Sequence, residues 1–117
     1  MFWKRNFIEN GEWEKEGGGS MGLVHKRNYQ EIVLDLTAAI LKISDLYLFL
    51  EMKAKDWQSL TVSQKRELAL TLADDIFYGL DYQHELPVGS GLVKYLAASC
   101  TIEVYSCSKL VGCIELN

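Results

Sequence analysis

Cysteine is scarce and crowded: three residues, Cys100, Cys107 and Cys113, all near the C-terminal end of a 117-residue chain. An odd number so placed does not make a disulfide framework, and free thiols in a reducing cytoplasm or nucleus are the expected state. Neither a Cys-x-x-Cys nor a His-x-x-x-His pair is present, so no metal and no cofactor is expected. Histidine is equally sparse, with His25 and His84 alone. A Cys-His nucleophile needs an imidazole within hydrogen-bond reach of a thiol, and nothing in the spacing brings one there. The default for such cysteines is a small buried hydrophobe. His84-Glu85 beside Asp81 suggests an acid–base pair, but a lone histidine in a loop flanked by glycine and proline is ordinarily solvated. His25 opens the basic run His25-Lys26-Arg27 and reads as surface. The chain is therefore expected to be non-enzymatic.

Positive charge is also in short supply. Twelve Lys and Arg against sixteen Asp and Glu leave a formal charge of −4 and a pI near 5.1. That balance argues against a nucleic-acid backbone or an anionic membrane as partner. No apolar run approaches the ~20 residues that cross a bilayer; between 28 and 57 the longest is Leu46 to Leu50. Lys4, Arg5, Glu9 and Glu12 stand where a secretory signal would have its apolar centre, so an intracellular location is expected. Proline occurs once, at Pro87, inside the segment Leu80 to Gly91, which is a loop by composition. Gly89-Ser90-Gly91 within it has no lysine at the phosphate-loop spacing and reads as a turn.

What the chain does have is apolar periodicity. Hydrophobic content is 49%, enough for one globular domain with a modest core. From Asn28 to Trp57, the residues Tyr29, Val33, Leu36, Ile40, Ile43, Tyr47, Leu50, Ala54 and Trp57 recur every third or fourth position. This predicts a single helix of roughly 40 Å at 1.5 Å per residue, begun by an Asn28/Glu31 capping pair. A second row, Leu34, Ala38, Leu41, Leu48 and Met52, runs beside the first, so more than one neighbour, or a second copy of the chain, is expected to cover it. Thr61 with Gln64 predicts another cap, followed by a helix over Val62 to Tyr78 that turns Leu68, Ala69, Leu72, Ala73, Ile76 and Phe77 inward and stops at Gly79. The short connector makes the two helices an antiparallel pair. Leu92 to Ser99 reads as a short helix, with a third strand over Leu92 to Ala98 as the alternative. Thr101 to Ser106 alternates and is β-branched, which predicts a strand, with a turn at Ser108-Lys109 and a partner strand over Leu110 to Leu116. The expected fold is α+β: a long central helix, an antiparallel second helix, a possible short third helix and a C-terminal β-hairpin.

The N-terminal end has a different character. Residues 1–16 hold two of the three tryptophans and two of the four phenylalanines, and Gly17-Gly18-Gly19-Ser20 then leads directly into Met21. Gly-Gly-Gly-Ser has the composition of a flexible linker. The arrangement reads as a fusion: a ligand peptide (1–16), a linker (17–20) and an interaction domain (21–117). Tethering turns a weak ligand into an intramolecular one at an effective concentration of order millimolar. Asn10-Gly11 predicts a two-residue hairpin turn with Glu9 opposite Glu12 and Ile8 opposite Trp13, whereas a helix over Phe2 to Glu9 is the competing form. In either form Phe2, Trp3, Phe7, Ile8 and Trp13 are the candidate anchors, because large rigid side chains dominate interfaces. Tyr47, Leu50, Trp57, Phe77 and Tyr78 are the candidate receiving groove.

These features define an expected function: a protein-binding adaptor or scaffold module that captures an aromatic segment of a protein partner. Two rivals stand beside it. One is a homodimer joined through the long helix, and the other a small enzyme or ligand-binding domain with its site in the loop at 80–91.

Overall fold

The computed structural model describes residue 23 and residues 25–117, together with the strands Phe7–Ile8 (β1) and Glu12–Trp13 (β2). These strands pair antiparallel, with Phe7 opposite Trp13 and Ile8 opposite Glu12. That register is one residue away from the one expected of a two-residue turn, and it ends the expectation of a helix through Phe7–Ile8. Glu12 is thus paired with Ile8 rather than with a like charge, which a tighter turn would impose. Phe2, Trp3, the linker at 17–20 and Met21 lie outside the described residues.

The expected single helix over 28–57 is three pieces: Tyr29–Ile40 (α1), Leu46–Phe49 (α2) and Ala54–Gln58 (α3). Asn28 does cap α1, its side chain accepting the Gln30 and Glu31 amides at 2.8 and 3.4 Å. Beyond Ile40 the backbone tightens into i→i+3 bonds, Lys42 N–H to Ala39 O and Ile43 N–H to Ile40 O, each within 3.1 Å. Three-residue steps keep Ile43 and Leu46 buried although the helix has ended. The cause is non-local. The Asp45 carboxylate accepts the Ser90 amide at 2.9 Å and the Ser90 hydroxyl at 2.9 Å, which pins this stretch to a turn far along the chain. Glu51, at φ 58°, ends the second piece.

Thr61 and Gln64 form the expected reciprocal cap, at 2.9 and 3.1 Å, of Val62–Tyr82 (α4). Gly79 does not stop it. Gly79 is buried inside the helix, which runs on to Tyr82. Leu68, expected inward, is 37% exposed. Tyr29 lies against Phe77 and Tyr78, while Val33 and Leu34 lie beside Leu70 and Thr71. Rising numbers on α1 thus meet falling numbers on α4, and the two helices run antiparallel.

In place of a single C-terminal hairpin there is a four-stranded antiparallel meander of Glu85–Val88 (β3), Gly91–Leu96 (β4), Thr101–Ser106 (β5) and Lys109–Glu115 (β6). The loop expected at 80–91 is the end of α4, then β3 and a tight Gly89-Ser90 turn. The helix expected at Leu92–Ser99 is β4, the strand alternative, where Val93 is paired on both sides by Leu86 and Val104. The last turn is Cys107-Ser108, one residue earlier than expected. Val104 pairs with Gly112 and Tyr105 with Leu110, so Val111 is an extra residue, a bulge. The inner face carries Leu86, Val88, Val93, Ile102, Val104 and Ile114, all buried, and the helices cover it. α1 sits so near β6 that a Cβ on Gly112 would lie 2.6 Å from the Ala39 Cβ. The protein is an α+β fold of mixed helix and antiparallel sheet. Among the described residues no helix is long and apolar enough to cross a membrane.

Candidate functional site: the groove between α1 and α4

The stripe residues Val33 and Leu36 point α1 into the core, and its second row therefore faces out. Leu34 is 46% exposed, and Leu70 on α4 is 39% exposed. With Tyr29, Gln30, Val33, Thr71 and Asp74 they wall a groove of about 430 Å³, within the usual range for small binding sites. A second hollow of about 360 Å³, lined by Leu60, Gln64, Glu67, Leu68 and Thr71, shares Thr71 with the first and extends it toward the start of α4.

An aromatic cluster closes the other end. Tyr29 meets Phe77 edge-on with ring centroids 5.0 Å apart, and His25 meets Phe77 at 5.5 Å. Tyr78 stands 5.7 Å from Phe77. The Tyr29 hydroxyl donates to Asp74 Oδ1. Burial first, then the hydrogen bond and the negative charge of Asp74, push the Tyr29 phenol far above its ordinary range. Tyr29 is therefore a fixed donor at neutral pH and a poor acid catalyst. His25 is half-buried rather than a surface residue, and its Nδ1 lies 2.9 Å from Leu23 O.

The five residues nominated as a receiving groove are not gathered into one place. Phe77 is fully buried and has no surface to offer. Trp57 is in α3, beside the first turn of α4, with the Lys65 ammonium 5.4 Å from its ring centre. From Lys65 to Phe77 is a rise of about 18 Å along a helix. Tyr78 belongs to the Tyr29 cluster, while Tyr47 and Leu50 lie on or beside α2, where the Tyr47 carbonyl accepts the Leu50 and Met52 amides. The residues that do line the groove include Leu70 and Asp74, neither of which is among the residues expected inward on α4. Their one sequence signal was the second apolar row of α1, which needed something opposite it. Of the anchors, Phe7, Ile8 and Trp13 lie in β1 and β2, and Phe2 and Trp3 lie outside the described residues.

Elsewhere the chemistry is sparse. Cys107 and Cys113 are exposed and Cys100 half-buried, so none is the buried hydrophobe expected; all fall at turns or on the open sheet face. His84 is exposed and stacks edge-on against Tyr95 at 5.1 Å, while Glu85 reaches Lys94 at 3.9 Å. Among the described residues no three His, Cys, Asp or Glu side chains converge as a metal ion would need. On the open face Tyr105 donates to Glu103 at 2.5 Å, and that bond, with some burial, raises its phenol above the ordinary value.

Both edges of the sheet are blunted. β3 is four residues long and contains Pro87, which has no amide to donate. Along β6, Arg27 Nη1 donates to Glu115 O at 2.8 Å and Lys42 Nζ to Val111 O at 3.3 Å. Such devices discourage strand addition. No family model, curated protein or solved structure matches the chain.

Proposed function

We propose that residues 21–117 are a non-enzymatic protein-interaction module, an adaptor or scaffold part, whose groove between α1 and α4 receives a short aromatic segment of a protein partner. Residues 1–16 are such a segment, carried in cis through the linker at 17–20. The observation that carries this reading is the pair of half-exposed leucines, Leu34 at 46% and Leu70 at 39%, facing each other across an apolar groove of about 430 Å³. A groove so walled suits side-chain anchors of the kind that dominate peptide recognition. The blunted edges favour this mode over β-augmentation.

Geometry permits the cis arrangement. From Trp13 to His25 the chain can span about 40 Å at roughly 3.3–3.6 Å per residue, and Tyr29, which lines the groove, lies just beyond His25 in the sequence. The test is made on the full chain at low concentration, by isotope-filtered NMR between the Trp3 and Trp13 indoles and the Leu34 and Leu70 methyls. Contacts are expected, with Trp3→Ala or Phe7→Ala lowering stability by about 2 kcal/mol and Glu14→Gln changing it little. Indoles in free solvent, or contacts that appear only as concentration and light-scattering mass rise together, would replace this reading with none or with a homodimer.

A further inference from the structure

We infer that the groove selects aromatic segments that carry basic residues, through Asp74 and Glu67, with Lys4 and Arg5 as the basic residues of the cis segment. The inference rests on the module reading above and specifies the chemistry of the occupant. Across both hollows the lining is apolar or neutral except for two side chains, Asp74 and Glu67, and both are acidic. Among the described residues Asp74 is met by the Tyr29 hydroxyl alone and no cation pairs with either carboxylate. The acids of α1 are differently placed: Glu31 and Asp35 are both held by Arg27, at 3.6 and 2.9 Å. Two carboxylates flanking leucine walls favour cations carried beside apolar groups, since an unpaired carboxylate covered by a docked apolar chain loses hydration without compensation.

The N-terminal segment has the complementary pattern. It reads Phe2-Trp3-Lys4-Arg5-Asn6-Phe7-Ile8, with its basic pair between aromatic residues, while its acids, Glu9, Glu12, Glu14 and Glu16, all come later. The occupant is thus residues 2–8, and by extension a partner segment with one or two Lys or Arg set among aromatics. An acidic aromatic segment is excluded by the same charges.

The experiment follows the bound fraction of the Trp3 indole by NMR in the full chain. Asp74→Asn with Glu67→Gln removes the groove charges while leaving an acceptor for Tyr29, and Lys4→Gln with Arg5→Gln removes the segment's. The second pair lies outside the α+β domain, so a failure of that domain to fold cannot mimic the result. Each pair is expected to lower the bound-to-free ratio by up to about fivefold for an exposed contact, and the four changes together to do little more than either pair. Raising salt from about 0.01 to about 1 M, which shortens the Debye length from ~30 to ~3 Å, should loosen the wild type and leave the fourfold variant unmoved. If Leu34→Asp releases the segment while neither charge pair nor salt does, the charge selection is overturned and the module reading stands. If Trp3 is free in the wild type, both fall.

Discussion

Gly112→Ala tests the close approach at which α1, one wall of the groove, is seated on β6. The added Cβ would lie 2.6 Å from the Ala39 Cβ, about 1 Å inside the 3.5–4.0 Å at which two carbons rest. Neither atom is the end of a flexible side chain, so relief requires helix and strand to part. Overpacking of this kind costs roughly 1–3 kcal/mol, offset by roughly 0.4–1 kcal/mol from a stiffer unfolded chain. A net loss of about 1–2 kcal/mol is expected. Ala39→Gly alone should cost about 1 kcal/mol as a glycine in a helix interior. In the double variant the clash is gone, and the next neighbours of the new Cβ are the Ala39 Cα at 3.5 Å and the Val104 Cβ at 3.9 Å, ordinary contacts. The double variant should therefore be only about 0.5 kcal/mol below wild type, a coupling of about 2 kcal/mol in the cycle. Urea titrations with circular dichroism measure all four proteins, with equal m-values as the check on two-state behaviour. Additive losses, or a neutral Gly112→Ala, would show that α1 does not rest on β6 in this way.

Two further outcomes follow from other parts of the structure. Because the native Tyr29 phenol holds its proton far above the unfolded value of about 10, the native state binds more protons than the unfolded one once pH exceeds about 10; stability should fall with rising pH there. Tyr29→Phe should remove much of that alkaline decline, and an unchanged decline by pH-dependent urea melts would count against the half-buried Tyr29–Asp74 bond. Cys107 and Ser108 both stand at positive φ, 51° and 67°, in the two-residue turn between β5 and β6. Replacing them by Asn and Gly, the residues such a turn favours, should stabilise the protein by about 1 kcal/mol, and a lower melting temperature would refute the turn.

The parts of the fold that sequence made legible are those decided within a few residues. Asn28 and Thr61 mark helix starts because capping involves the side chain and the next turn alone. Thr101–Ser106 is a strand whose alternation survives any partner. The break after Ile40 was hidden because apolar residues at three- and four-residue steps fit an α-helix and a chain of 3₁₀ turns alike, while its cause, Asp45 bound to Ser90, is distant in sequence. β4 was hidden for a related reason. Leu92, Val93, Tyr95 and Leu96 make a short apolar run that serves helix or strand, and pairing with β3 and β5 decides between them. Gly79 shows the opposite hazard, a residue that ends helices when exposed and is carried through one when its turn is buried. Within the candidate site the aromatic residues drew attention first, yet Phe77 is core, and the leucines beside it hold the open surface.

Those leucines are a consequence of the layer count. Four strands about 4.8 Å apart make a sheet roughly 19 Å wide, which two helices packed 8–10 Å apart cover completely. α1 lies against β6, and α4 with the short α2 reaches β3, so helices already occupy both sides of the inner face. A third layer would have to lie above the helices, on the side where Leu34 and Leu70 stand. The chain nevertheless carries a second apolar row on α1, and a surface helix with one covered face has no folding reason to keep a leucine on the other. An uncovered row beside a hollow of this size costs solubility without adding stability to the domain alone. Under the proposed function that outer layer is an aromatic segment such as residues 1–16, whose sequence supplies apolar side chains and a basic pair.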